Sequence, residues 1–247
     1  MARRHDIDRI LREWAYEPGE ISARLVRATD GREVLQMRVE MGVLQLETAG
    51  RPDGQRPGGS ETYFNYLVGL AEKAGEGFEL SPEQCTEADR EFMQFYHRRV
   101  CWLALREFRR ATSDADHTLA LMDFVRERSP DEEWTLSHEQ YRPFVLFHRT
   151  QAATLALLDE IGPEEALLEL QRGLQRFRDL FAEYEAEDQL EDDELVQRLI
   201  ELRDTLREQY HLKPSLSEQL AEAVAAEQYE LAAKLRDELS RRTGKPA

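Results

Sequence analysis

The chain has 247 residues with 50 acidic and 33 basic side chains, a formal charge of −17. Its hydrophobic fraction is 41%, and no run of about 18 apolar residues occurs, which argues against a membrane-spanning helix. The start, Met1-Ala2-Arg3-Arg4-His5-Asp6-Ile7-Asp8, never reaches an apolar stretch, so no secretory signal is expected and the chain is expected to be cytoplasmic. Cys85 and Cys101 form no CxxC and no His/Cys cluster, against both a disulfide framework and a zinc finger.

Residues 5–14 predict a short helix with Ile7, Ile10, Leu11 and Trp14 on one side. Ile21, Ala23 and Leu25 then alternate with Ser22, Arg24 and Val26, and Asp30-Gly31 offers the two positive-φ residues of a tight hairpin. Leu35, Met37, Val39 and Met41 alternate with Gln36, Arg38 and Glu40 as a half-buried strand. The phase slips by one at Gly42-Val43, the mark of a bulge or tight turn, before Leu44 and Leu46. A meander of two or three antiparallel strands follows from this pattern. It ends in Arg51-Pro-Asp-Gly-Gln-Arg-Pro-Gly-Gly59, two Pro/Gly turns expected on the surface.

From Ser60 on, nothing reads as strand. Ser81-Pro82-Glu83-Gln84 and Ser129-Pro130-Asp131-Glu132 pair a cap with proline in the first turn, and Ser113-x-x-Asp116, Gly162-Pro163-Glu164-Glu165 and Ser215-x-x-Glu218 read similarly. Helices are expected near 60–74, 86–111, 114–128, 142–161, 163–184, 192–210, 215–226 and 228–242. Pro143 places the fourth start at Arg142 rather than at Ser137, because an interior proline loses a hydrogen bond and clashes. The expected class is mainly α with a small N-terminal antiparallel β-meander (α+β), a helical array and a C-terminal helical hairpin. Segments 1–59, 60–212 and 213–247 divide it. The first and last are neutral, so the whole −17 lies in 60–212, most densely in 183–194, where eight of twelve residues are carboxylates. That run reads as a solvated face or hinge, and it disfavours nucleic acid.

In the tail, Leu216, Leu220, Ala223 and Val224 share one helical face, and Tyr229, Ala232, Ala233, Arg236 and Leu239 share another. The alanine pair lets a second helix approach closely. So short a hairpin is expected to dock on a partner, on its own copy or on its own chain.

Tyr229-Glu230 followed by Ala232-Ala233-x-Leu235-Arg236-Asp237-x-Leu239, with Leu220, Ala223 and Val224 upstream, resembles the UVR motif. This is the helical hairpin of the excision-repair subunits UvrB and UvrC and of some protease-regulating adaptors. The likeness covers roughly 213–243, with Tyr229 in place of the usual phenylalanine. It implies a protein–protein interaction module, including self-association, with excision-repair subunits or a protease regulator as partners. Met37–Gly54 resembles a stretch of uncharacterised bacterial proteins with this tail and brings no function with it.

Chemistry elsewhere is sparse. Residues 1–212 hold no GxxxxGK[ST] loop, no paired CxxC and no familiar nuclease signature, so a non-enzymatic protein without cofactor or metal is expected. Asp114-Ala-Asp116-His117 has metal-like i,i+3 spacing, but its place after Ser113 favours helix capping. His148, beside Phe144, Phe147, Gln151 and Leu155, reads as a core or boundary histidine. Arg99, Arg106 and Arg110 lie within about 40° of one another on a continuous helix, a possible anion contact or a stripe paired internally. Arg51 and Arg56 offer another possible anion contact, with a solvated turn the simpler reading. The expected partner surface is Leu220, Val224, Tyr229, Ala232, Ala233, Arg236, Asp237 and Leu239. An enzyme or small-ligand protein clamped into a dimer by its hairpin is the second reading, and nucleic-acid binding through the Arg99 stripe the third.

Overall fold

The computed structural model describes residues 6–214, 216–226 and 228–243. The fold is mainly α with a small antiparallel β-meander near the N-terminus. It divides into two compact units, 1–200 and 201–247, taken here separately.

In the first unit a short helix α1 (Asp8–Glu13) precedes strands β1 (Ala23–Arg27), β2 (Glu33–Val39) and β3 (Gly42–Glu47), paired in that order. Between β1 and β2 only Gly31 takes positive φ, at 89°. Ala28 N–H donates to Arg32 O at 2.9 Å, closing a loop wider than the two-residue turn expected at Asp30-Gly31. The Asp30 carboxylate instead accepts from the Arg32 backbone N–H and Nε. Val39 faces Gly42 across β2 and β3, so the phase slip is a two-residue turn, and Met41 lies at its exposed tip rather than on the strand.

Ala23, Leu25, Leu35, Met37 and Leu46 pack on Cys101, Trp102, Ala111 and Ala152, burying one sheet face against helices. The other face is covered from the N-terminal side. Trp14 donates its indole N–H to Ser22 Oγ at 2.7 Å and lies under the Arg24 guanidinium. Arg38, expected to face solvent, is buried and donates to the carbonyls of Trp14 and Gly42.

The helices of this unit are α2 (Tyr63–Ala74), α3 (Pro82–Ala104), α4 (Phe108–Arg128), α5 (Glu132–Glu139), α6 (Arg142–Glu160) and α7 (Pro163–Glu183). α8 (Glu194–Tyr210) crosses the division between the units. α3, α4, α6 and α7 pack in that succession. The Ser81 capping box forms in full, with Gln84 N–H donating to Ser81 Oγ and the Gln84 amide accepting from Ser81 N–H. α6 starts at Arg142 and α7 at Pro163, as the prolines require.

The single helix expected over 86–111 is two. It stops after Ala104, where Arg106 takes a positive φ of 60° and Glu107 N–H turns back to Trp102 O. The restart at Phe108 leaves Ser113 inside α4, so Ser113-x-x-Asp116 caps nothing. The Ser129-Pro130 signal marks the neighbourhood of α5 but not its cap: the N-cap is Asp131, whose carboxylate accepts from Glu133 and Trp134 N–H, and Pro130 lies outside the helix. α6 and α7 meet closely enough that a Cβ on Gly173 would overlap the Thr150 side chain, which only glycine permits.

The second unit contains the hairpin of α9 (Leu216–Ala225) and α10 (Tyr229–Thr243). Gln228 N–H donates to Ala223 O at 2.8 Å and Ala232 N–H to Gln228 O at 2.9 Å, so the joint satisfies its own backbone. The Ser215 cap signal lies outside the described residues.

Candidate protein-interaction site

Most of the charged groups read as possible chemistry in the first unit are engaged inside it. Arg98 makes a buried two-point pair with Asp114, 2.8 and 2.7 Å, and gives its remaining Nη1 to the carbonyls of Glu47 and Gly50. Asp116 binds Arg149 at 2.9 Å. The His117 ring stacks on Phe95 and meets Glu91 at 3.0 Å. Asp114-Ala-Asp116-His117 is therefore a set of tertiary ties rather than a cap.

Glu91 is fully buried and also accepts from Tyr63 and Phe64 N–H, at 2.6 and 2.9 Å. A carboxylate there offsets the dipole at the start of α2. Arg51, expected in a solvated turn, is buried beside Glu87 and Glu91, while Arg56 stays exposed.

The arginine stripe does not exist as a surface. Arg99 is 1% exposed, donating to His148 Nδ1 at 3.3 Å and Thr118 Oγ1 at 3.0 Å. Arg106 sits in the break between helices, and Arg110 lies over Trp102 and pairs with Glu33 at 3.1 Å. Burial lowers Arg99 to about 10, against the opposing pull of Asp114. Burial, then the Arg99 charge, pushes His148 down to about 3, which keeps it neutral as a core histidine. Burial pushes the Cys101 thiol up to about 12 and raises Cys85, opposite to what a reactive thiol needs. Among the described residues no group of three or more His, Cys, Asp or Glu is placed to hold a metal.

The hairpin is built the other way. Its core is Ala223, Ala232 and Leu235, with Leu216 and Leu220 packed against them. Ala232 and Leu235 are three residues apart and share a face, whereas Ala233 is turned about 100° away and is exposed. The eight expected contact residues therefore split. Leu220 and Ala232 help close the hairpin on itself, while Val224, Tyr229, Ala233, Arg236 and Asp237 point out. The Leu239 side chain lies outside the described residues. Arg236 donates to the neighbouring Asp237 at 2.9 Å, with both side chains more than half exposed.

Val224 is 52% exposed and Tyr229 68%, and Leu231, which periodicity alone did not single out, is 45% exposed. Leu231 precedes the Ala232-Ala233 pair, so a helical wheel counted outward from Ala232 finds it on the open side. The geometry defines a class: a short helical hairpin with a small-residue interior and large apolar side chains held in water. Residues 212–241 match the UvrB/uvrC motif. Neither the curated proteins nor the solved structures gave a match. Among the described residues no helix is long and apolar enough to cross a membrane.

Proposed function

We propose that this protein is a non-enzymatic cytoplasmic adaptor that docks a protein partner through the outer face of its C-terminal hairpin. The observation that carries this is the coincidence of the UvrB/uvrC motif at 212–241 with an α9–α10 hairpin whose Val224, Tyr229 and Leu231 stand in solvent. Large apolar side chains at a few exposed positions are the usual anchors of protein recognition. Tyr229 and Val224 supply the anchors, and Arg236 and Asp237 read the partner's charge. An excision-repair subunit or a protease regulator fits the company this motif keeps.

The test is affinity capture from cell extract with the full chain, the chain ended after Leu212, and a full-length Val224→Asp/Tyr229→Ala variant. Specific partners present with the first and missing with the other two support the adaptor. An unchanged partner list would sink it. A drop from dimer to monomer with no loss of partners would favour a clamp instead.

A further inference from the structure

We propose that the groove between α5 and the C-terminal end of α7 is a second docking site, for a basic amphipathic helix of a protein partner. The groove has a volume of about 310 Å³ and is walled by Leu136, Pro143, Leu180, Phe181, Tyr184 and Ala186. That is the lower end of the range of recognition pockets, room for one or two large side chains. Elsewhere the helical array encloses most of its large apolar groups, yet Leu136 is 54% and Tyr184 48% exposed on these walls.

The floor is neutral. Glu139 reaches it, but its carboxylate accepts from Arg142 at 2.8 Å and from the Tyr184 hydroxyl at 3.3 Å. An uncharged anchor meets no unpaired charge there. The rim is strongly acidic. Glu185, Glu187 and Asp188 flank Ala186, are exposed, and form no ion pair among the described residues. Two cations of the surrounding helices are already engaged, Arg142 by Glu139 and Asp123, and Arg126 by Glu183.

An apolar slot under an uncompensated negative rim selects a segment with aliphatic residues on one face and lysine or arginine beside them. A helix meets that demand, because residues three and four apart lie about 5–6 Å from one another. A partner adding a β-strand would need a sheet edge to pair with, and this groove is made of helices and a turn.

The test uses the full chain and a fluorescent synthetic peptide of about 18 residues, leucine and lysine at helical spacing, beside a scrambled peptide of identical composition. The patterned peptide is expected to bind about tenfold or more tightly than the scrambled one, with affinity falling as salt rises. Leu136→Asp, at an exposed position, removes that preference. Glu185→Lys/Glu187→Lys/Asp188→Lys independently weakens the patterned peptide about tenfold, with circular dichroism unchanged in both variants. Equal binding of the two peptides, or affinity that survives Leu136→Asp, overturns the proposal in favour of plain charge attraction. Release of a dimer by Leu136→Asp overturns it in favour of a second copy of this chain in the groove.

Discussion

The two units are held together by different means. In residues 1–200, charged side chains are spent on internal ties: Arg98 on Asp114, Arg149 on Asp116, Glu91 on the start of α2, and Arg99 on His148. In the hairpin the interior is two alanines and a leucine with two partly buried leucines, and the larger Val224, Tyr229 and Leu231 face outward. A charge-rich helix surface thus says little about ligands until its partners are known. A hairpin that wastes its best apolar residues on water says a good deal.

The comparison breaks most readily at Arg98. Arg98→Ala leaves Asp114 buried without its cation, and is expected to cost about 3–5 kcal/mol in chemical denaturation. A loss under about 1 kcal/mol would mean that the buried pair is not what holds α3 to α4. Gly173→Ala should cost about 1–3 kcal/mol, since its methyl must displace Thr150 at the α6–α7 contact. A neutral result there would show that the contact relaxes freely.

The pH dependence sharpens the same point. His148 is held near 3 in the folded chain, while an unfolded histidine titrates near about 6.5. Between those values the unfolded state takes up a proton that the folded state refuses. Stability should therefore be complete above about pH 6.5 and decline by about 1 kcal/mol for each unit as pH falls toward 3. His148→Gln, which still offers Arg99 an acceptor, should flatten that arm of the stability curve, and an unchanged slope would count against a neutral buried imidazole. The smallest effect on folding belongs to the hairpin: Tyr229→Ala should shift stability by no more than about 0.5 kcal/mol. Its consequence should appear in partner capture instead, and a large loss of stability would show that Tyr229 is structural.

Local rules in the sequence found what local physics decides. The Ser81 box, the Pro143 and Pro163 starts, the sheet order and the hairpin were all legible, because each depends on residues within one turn or one strand. The break at Arg106 was not, since no glycine or proline marks it and 86–111 keeps a helical pattern throughout. The Asp114–His117 run was misread for a related reason. Its partners Arg98, Glu91 and Arg149 come from other helices, and spacing within one helix cannot display them. In the tail the first expected face holds at Leu216, Leu220 and Ala223 but not at Val224, whereas on the second only Ala232 is buried among the described side chains, with Tyr229, Ala233 and Arg236 in solvent and Leu235 taking the inward place.

The end of β3 has a bearing on solubility. A three-stranded sheet has two open edges, and an unpaired edge invites another strand. At Glu47 both outward groups are taken: the N–H donates to Pro52 O at 2.8 Å, and the carbonyl accepts from Arg98 at 3.1 Å. The loop after β3 and one buried guanidinium thus blunt that end of the sheet against edge-to-edge aggregation. Arg98→Lys, which keeps the charge but not the fork that reaches the Glu47 and Gly50 carbonyls, should make the chain more prone to aggregate on refolding than its loss of stability alone would explain.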